Sequence, residues 1–168
     1  LPAELFAAAN GHTAGQGLEM GFLFRQAYEQ AVNFCELYAQ TRPAAGFMKT
    51  ILLRRIGSSV AAGLNTTRAL LAGAETGSGV TDENDELTRT KERLALTPAE
   101  TTLLRDIESK LAAIVSNDHV DPKIQVIVHY LKTLGWLDRH GMIAFSQFYD
   151  AADFVATALA HQFPQEPI

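Results

Sequence analysis

The stretch from Asp121 to Phe163 constrains this chain most, because it reads helix, turn, strand, turn, helix. Asp121 is an N-cap acceptor and Pro122 takes the first helical position, where a missing N–H costs nothing. Ile124, Ile127, Val128, Leu131 and Leu134 recur at helical spacing, and Gly135 is a natural stop. Residues Trp136 to Gly141 make a turn. Met142, Ile143, Ala144 and Phe145 form an unbroken apolar run, which suits a strand buried on both faces. Ser146 and Gln147 follow, and a second amphipathic helix carries Phe154, Val155, Ala158 and Leu159. A strand between two helices belongs to a parallel α/β sheet, and its backbone groups need partners on both sides.

The rest of the chain reads as helical. Pro2 to Ala9 suits a short helix, and the glycine-rich stretch at 10–17 a loop. That loop lacks the Gly-Lys-Ser or Gly-Lys-Thr ending of a phosphate cradle and has no strand before it. Phe22 to Gln40 is a helix with one apolar stripe of Phe24, Ala27, Tyr28, Ala31, Cys35 and Tyr38. Phe47 to Ile56 is another, with Phe47, Met48, Ile51, Leu52 and Ile56 on its apolar face. Gly57 ends it, Ser58 or Ser59 caps the next, and Val60, Leu64 and Leu71 share one side of that helix. Thr97-Pro98-Ala99-Glu100 is a capping box, and Leu104, Ile107, Leu111 and Ile114 continue from it at helical spacing. Residues 73–96 break this pattern. They are rich in Gly, Thr and acids and read as a flexible acidic linker. The acids at 82–86 lack the alternation and central glycine of a calcium loop, so a solvated charge run is expected there.

Composition narrows the function. The 168 residues carry a net charge of −5, which argues against a surface that grips nucleic acid throughout. Charge is uneven: residues 1–72 carry six Lys/Arg against four Asp/Glu, residues 73–120 five against ten, and residues 121–168 three against five. Any nucleic-acid contact should therefore involve the first part, not the middle. The single cysteine, Cys35, excludes an internal disulfide and reads as a buried structural thiol. No transmembrane run or signal segment appears, so the cytoplasm is the expected compartment. The five histidines hold no helical metal pair, and no Gly-x-Ser-x-Gly nucleophile is present. Trp136 reads as a core plug.

Residues 121–160, DPKIQVIVHYLKTLGWLDRHGMIAFSQFYDAADFVATALA, resemble the opening of the second motor lobe of Swi/Snf-type ATPases in helicase superfamily two. The segment FMKTILLRRIGSS at 47–59 is similar to the arginine-containing end of the first lobe in a bacterial branch of that family. The resemblance implies a helical end of motor lobe one at 1–72, the linker at 73–96, and a helical connector leading into lobe two at 97–168. It implies a fragment of a longer ATP-dependent translocase or helicase-like protein acting on nucleic acid, with duplex DNA as the expected partner. ATP and Mg²⁺ are cofactors expected of the parent chain. Residues 1–168 lack the phosphate loop, the acidic Mg²⁺ motif and the arginine finger, and alone are expected neither to bind nor to hydrolyse ATP.

Ser146 and Gln147 occupy the C-terminal end of the expected strand, where ligands meet open parallel sheets. The resemblance assigns them to the nucleic-acid track, and the residues themselves equally suit capping of the next helix. Arg54, Arg55 and Lys49 are further candidates for nucleic-acid contact. Adjacent arginines cannot share a helix face, so one is expected in solvent and the other in a structural ion pair. The expected fold is mainly α, about six helices with one short strand from a truncated α/β motor lobe. An unpaired strand would invite pairing with a second copy in a dimer. The competing reading is a free-standing helical protein-interaction module.

Overall fold

A computed structural model describes residues 6–9, 12–15, 20–42, 45–76, 96–116 and 121–168. The acidic run at 82–86 and most of the expected linker lie outside these residues. The chain is mainly helical, as expected. Strands β1 (Phe6–Ala9) and β2 (His12–Gly15) pair antiparallel, with Phe6 opposite Gly15. A short helix was the expectation for Pro2 to Ala9. Its alanines favour a helix in isolation, but the backbone groups of 6–9 take their partners from β2 instead.

Four helices build the core. They are α1 (Phe22–Thr41), α2 (Ala45–Ser58), α3 (Val60–Thr76) and α4 (Pro98–Ser116). Helix α4 packs on α1 and α3, and α2 packs on α3 and α1. Leu104, Ile107, Leu111 and Ile114 are all buried, so α4 presents the face its spacing indicates. Burying each such side chain stabilises the fold by about 2 kcal/mol. On α1 the buried set is Ala27, Ala31, Phe34 and Cys35. Phe34 was not in the expected stripe, whereas Tyr28 was and is exposed, its ring stacked on Phe24. Ala27, Ala31 and Cys35 of the expected stripe are buried, and Phe24 and Tyr38 pack against the core; Phe34, seven residues or about two turns beyond Ala27, joins that face.

The start of α4 is the expected capping box. Thr97 N–H donates to Glu100 at 2.7 Å and Glu100 N–H donates to Thr97 Oγ1 at 3.2 Å. Glu100 is nonetheless buried, and Arg42 reaches it with two nitrogens at 2.6 and 3.3 Å. The guanidinium of Arg42 also lies 4.1 Å from the Tyr38 ring centre. The end of α1 is thereby fixed to the start of α4.

Helices α2 and α3 approach closely at Gly63. A Cβ added there would sit 2.9 Å from both Cα and Cγ1 of Ile56. Gly63→Ala gains up to about 1 kcal/mol of helix propensity but forces apart two packed backbones. A net loss of about 1–2 kcal/mol is expected in urea denaturation, with the m value unchanged.

After α4 the chain forms α5 (Pro122–Val128), which continues as a π turn from His129 to Thr133. Leu134 N–H bonds to the His129 carbonyl five residues back. One uninterrupted α-helix was the expectation here, and side-chain spacing alone carries no signal for that widened turn. Gly135 does end the segment, at φ +66°. Trp136 opens the four-residue α6 (Trp136–Arg139) and is half-buried, its ring 4.7 Å from that of Tyr130. It covers a neighbouring helix and is not the core plug expected. Helix α7 (Tyr149–Gln162) closes the described fold.

The strand expected at Met142 to Phe145 is not formed. Residues 141–146 carry no helix or strand assignment, and Ile143 and Phe145 are 81% and 93% exposed. A strand exists only through hydrogen bonds to a neighbouring strand, and among the described residues the strand pairing is that of β1 with β2. The run expected to be buried on both faces is instead exposed among the described residues.

Candidate functional site

Three patches far apart in sequence meet at one junction. They are Arg55 to Val60 at the α2–α3 turn, Asp121 to Lys123 at the start of α5, and Ser146 to Asp150 at the start of α7. Asp121 is buried and uses its two carboxylate oxygens separately. Oδ1 accepts from Lys123 N–H at 2.8 Å and caps α5. Oδ2 accepts from Val60 N–H at 3.2 Å and caps α3, across 61 residues of chain. Ser59 adds its own cap to α3, its Oγ accepting from Ala62 N–H at 3.0 Å.

Lys123 completes the exchange. Its ammonium donates to the Gly57 carbonyl and, at 2.8 Å, to the Ser58 carbonyl. These carbonyls end α2, where the helix dipole favours a cation. Burial lowers the Lys123 pKa from its ordinary value, and the Asp121 carboxylate opposes that shift. One Asp–Pro–Lys tripeptide thus caps the end of α2 and the starts of α3 and α5.

Arg55 joins the third patch to the same turn. It is 4% exposed, whereas Arg54 beside it is exposed, as the helical geometry requires of adjacent arginines. Arg55 Nε donates to Thr66 Oγ1 at 2.6 Å, and Thr66 Oγ1 in turn donates to the Ala62 carbonyl at 2.9 Å. Arg55 Nη2 lies 3.4 Å from Asp150 on α7, and its guanidinium carbon is 4.8 Å from the Phe148 ring centre. Arg55 therefore makes the expected structural ion pair and presents no free face to a ligand.

The other candidates fall as follows. Lys49 and Arg54 are exposed on α2. Ser146 and Gln147 are exposed at the end of the apolar run. Ser146 Oγ accepts from Phe148 N–H at 3.2 Å and donates to the Phe148 carbonyl at 2.9 Å, closing a small side-chain turn before α7. The N-cap of α7 is Phe148, not Ser146 or Gln147. An apolar groove of about 810 Å³ runs beside the loop, lined by Ile127, Leu131, Met142, Val155, Leu159 and Phe163.

Cys35 lies deep in the four-helix core. Burial pushes its thiol up to about 11, against the opposing Lys49 charge, with Glu36 adding to the rise. A thiol held protonated in this way is a poor nucleophile. No group of three or more His, Cys, Asp and Glu suited to a metal ion occurs among the described residues. No described helix is long and apolar enough to cross a membrane.

Sequence reasoning missed Asp150, Thr66 and the second role of Asp121. Asp150 stands in the first turn of its helix, where an acid is ordinary, so nothing marked it as an arginine partner. Compared with known proteins, the chain matches no family model, no curated protein and no solved structure.

Proposed function

We propose that residues 1–168 form the inter-lobe segment of a Swi/Snf-type, ATP-dependent DNA translocase or helicase-like protein. The observation that carries this reading is the Met142–Phe145 ribbon. It is apolar, uncovered and flanked by helices, and it ends at two exposed polar residues. Such a ribbon buries its side chains and satisfies its backbone together by entering a sheet. The sheet of a second motor lobe would supply that environment. Ser146 and Gln147 would then stand at the carboxyl end of a parallel strand, with hydroxyl and amide groups suited to phosphate oxygens.

The junction gives the reading a mechanical part. The patches similar to the end of lobe one and the start of lobe two are bonded directly through Asp121, Lys123 and Arg55. Lobe closure driven by ATP would be passed through these bonds to the nucleic-acid track. Arg54 and Lys49, exposed on α2, are the remaining candidates for backbone contact with duplex DNA. ATP and Mg²⁺ are the cofactors such a motor would use, held by a phosphate loop and an acidic motif. Those cofactors would be held elsewhere in the parent chain.

A free-standing interaction module is the second reading, favoured by the shared core of α1 to α4. ATP hydrolysis by the native polypeptide carrying these residues separates the two. The motor reading expects hydrolysis that duplex DNA accelerates, with a smaller acceleration in the Ser146→Ala, Gln147→Ala double variant. A native polypeptide that neither binds duplex DNA nor hydrolyses ATP leaves only the interaction module.

A further inference from the structure

We infer that Arg55 is a positioning residue that clamps the Ser146–Asp150 loop and so sets where Ser146 and Gln147 stand. Its importance for nucleic acid rests on the contact reading above, but the clamp itself is a separate physical claim. The Arg55 guanidinium contacts groups on both α3 and the loop. Thr66 Oγ1 takes Nε at 2.6 Å, Asp150 takes Nη2 at 3.4 Å, and the Phe148 ring covers a face at 4.8 Å. A planar fork with several donors and a stackable face meets all three demands, whereas a lysine ammonium has no such plane.

Ile143, Phe145 and Tyr149 are mostly exposed, whereas Ala151, just past the loop, is buried where α7 packs on α3 and α5. Ser146 bonds only within the loop in the contacts described above, through Phe148 N–H and C=O. Phe148 is therefore the shared element: Ser146 is bonded to its backbone and Arg55 is stacked on its ring. Shifting Phe148 shifts Ser146 with it. Arg55 in turn is anchored through Thr66 to the core side of α3, so the loop's position is referred to the four-helix core.

Hydrogen exchange on Arg55→Lys and Asp150→Asn tests the clamp. The hydrogen-bonded amides of Phe148 and Ala152 should exchange about 10- to 100-fold faster in both variants, the range set by loss of a charged hydrogen bond. Amides of α1 and α4 should keep their wild-type rates. Equal acceleration everywhere, or none at Phe148 and Ala152, overturns the clamp. Should Arg55→Lys fail to fold, Asp150→Asn decides alone, because Asp150 lies at the rim with 19% exposure.

Fluorescence anisotropy with a labelled DNA duplex tests the link to Ser146 and Gln147. Arg55→Lys should weaken binding in the wild-type background and have no effect once both residues are alanine. Additive losses would mean that Arg55 acts elsewhere and would overturn the positioning role. Absence of wild-type binding would count against the nucleic-acid reading, and the exchange rates would then judge the clamp independently.

Discussion

Asp121→Ala should cost about 2–4 kcal/mol of stability, more than most exchanges of a polar residue for alanine. Two terms add. Losing the α5 cap costs about 1 kcal/mol, and leaving the buried Val60 N–H without an acceptor costs about 1–3 kcal/mol more. Asp121→Asn is the informative control. An amide side chain has one oxygen, whereas the two N–H groups here are served by separate oxygens. One N–H would then face an NH₂ donor, so asparagine should recover less than half of the loss. The effect should also be local. In guanidinium titrations followed by exchange, α5 and α7 should open before α1 and α4. A loss below about 1 kcal/mol would show that one cap, not two, depends on Asp121.

Glu100→Ala should cost about 3 kcal/mol, since it removes a capping acceptor and a two-nitrogen bond from Arg42. This site also gives stability an acid dependence. Burial by itself would raise the Glu100 pKa. The Arg42 hydrogen bond, the Thr97 N–H and the Arg42 charge outweigh it and hold the carboxyl below its ordinary value. The unfolded chain titrates near the ordinary glutamate value of about 4.3. Between the two values the unfolded state binds more protons. Stability from this pair is therefore fully present above the ordinary value and is lost as pH falls through the lowered one. Glu100→Gln keeps a capping oxygen but not the charge. It should cost about 1–2 kcal/mol at neutral pH and flatten the acid limb of the stability profile. An acid limb unchanged in Glu100→Gln would assign that limb to other carboxylates.

Legibility in the sequence followed the range of each interaction. Helix α4 was readable throughout, because its cap and its 104, 107, 111, 114 stripe are local patterns. Asp121 as the cap of its own helix was readable for the same reason. Its bond to Val60 was not, because it depends on the chain returning across 61 residues. Arg55 shows an intermediate case. Helical geometry required that Arg54 and Arg55 part company, but not which one would find Asp150. On α1 the stripe was largely right, and the errors lie at its edges, where Phe34 is buried and Tyr28 is exposed. Met142 to Phe145 failed for another reason. Apolar composition reports that a segment needs cover and is silent on what provides it.

That uncovered segment is the centre of the functional account. The most direct measurement is peptide sequencing of the native polypeptide that carries residues 142–145. A motor of the proposed kind should prove to be a longer chain, with a phosphate loop and an acidic Mg²⁺ motif before Leu1 and an arginine motif after Ile168. A native polypeptide with none of these motifs would contradict the account.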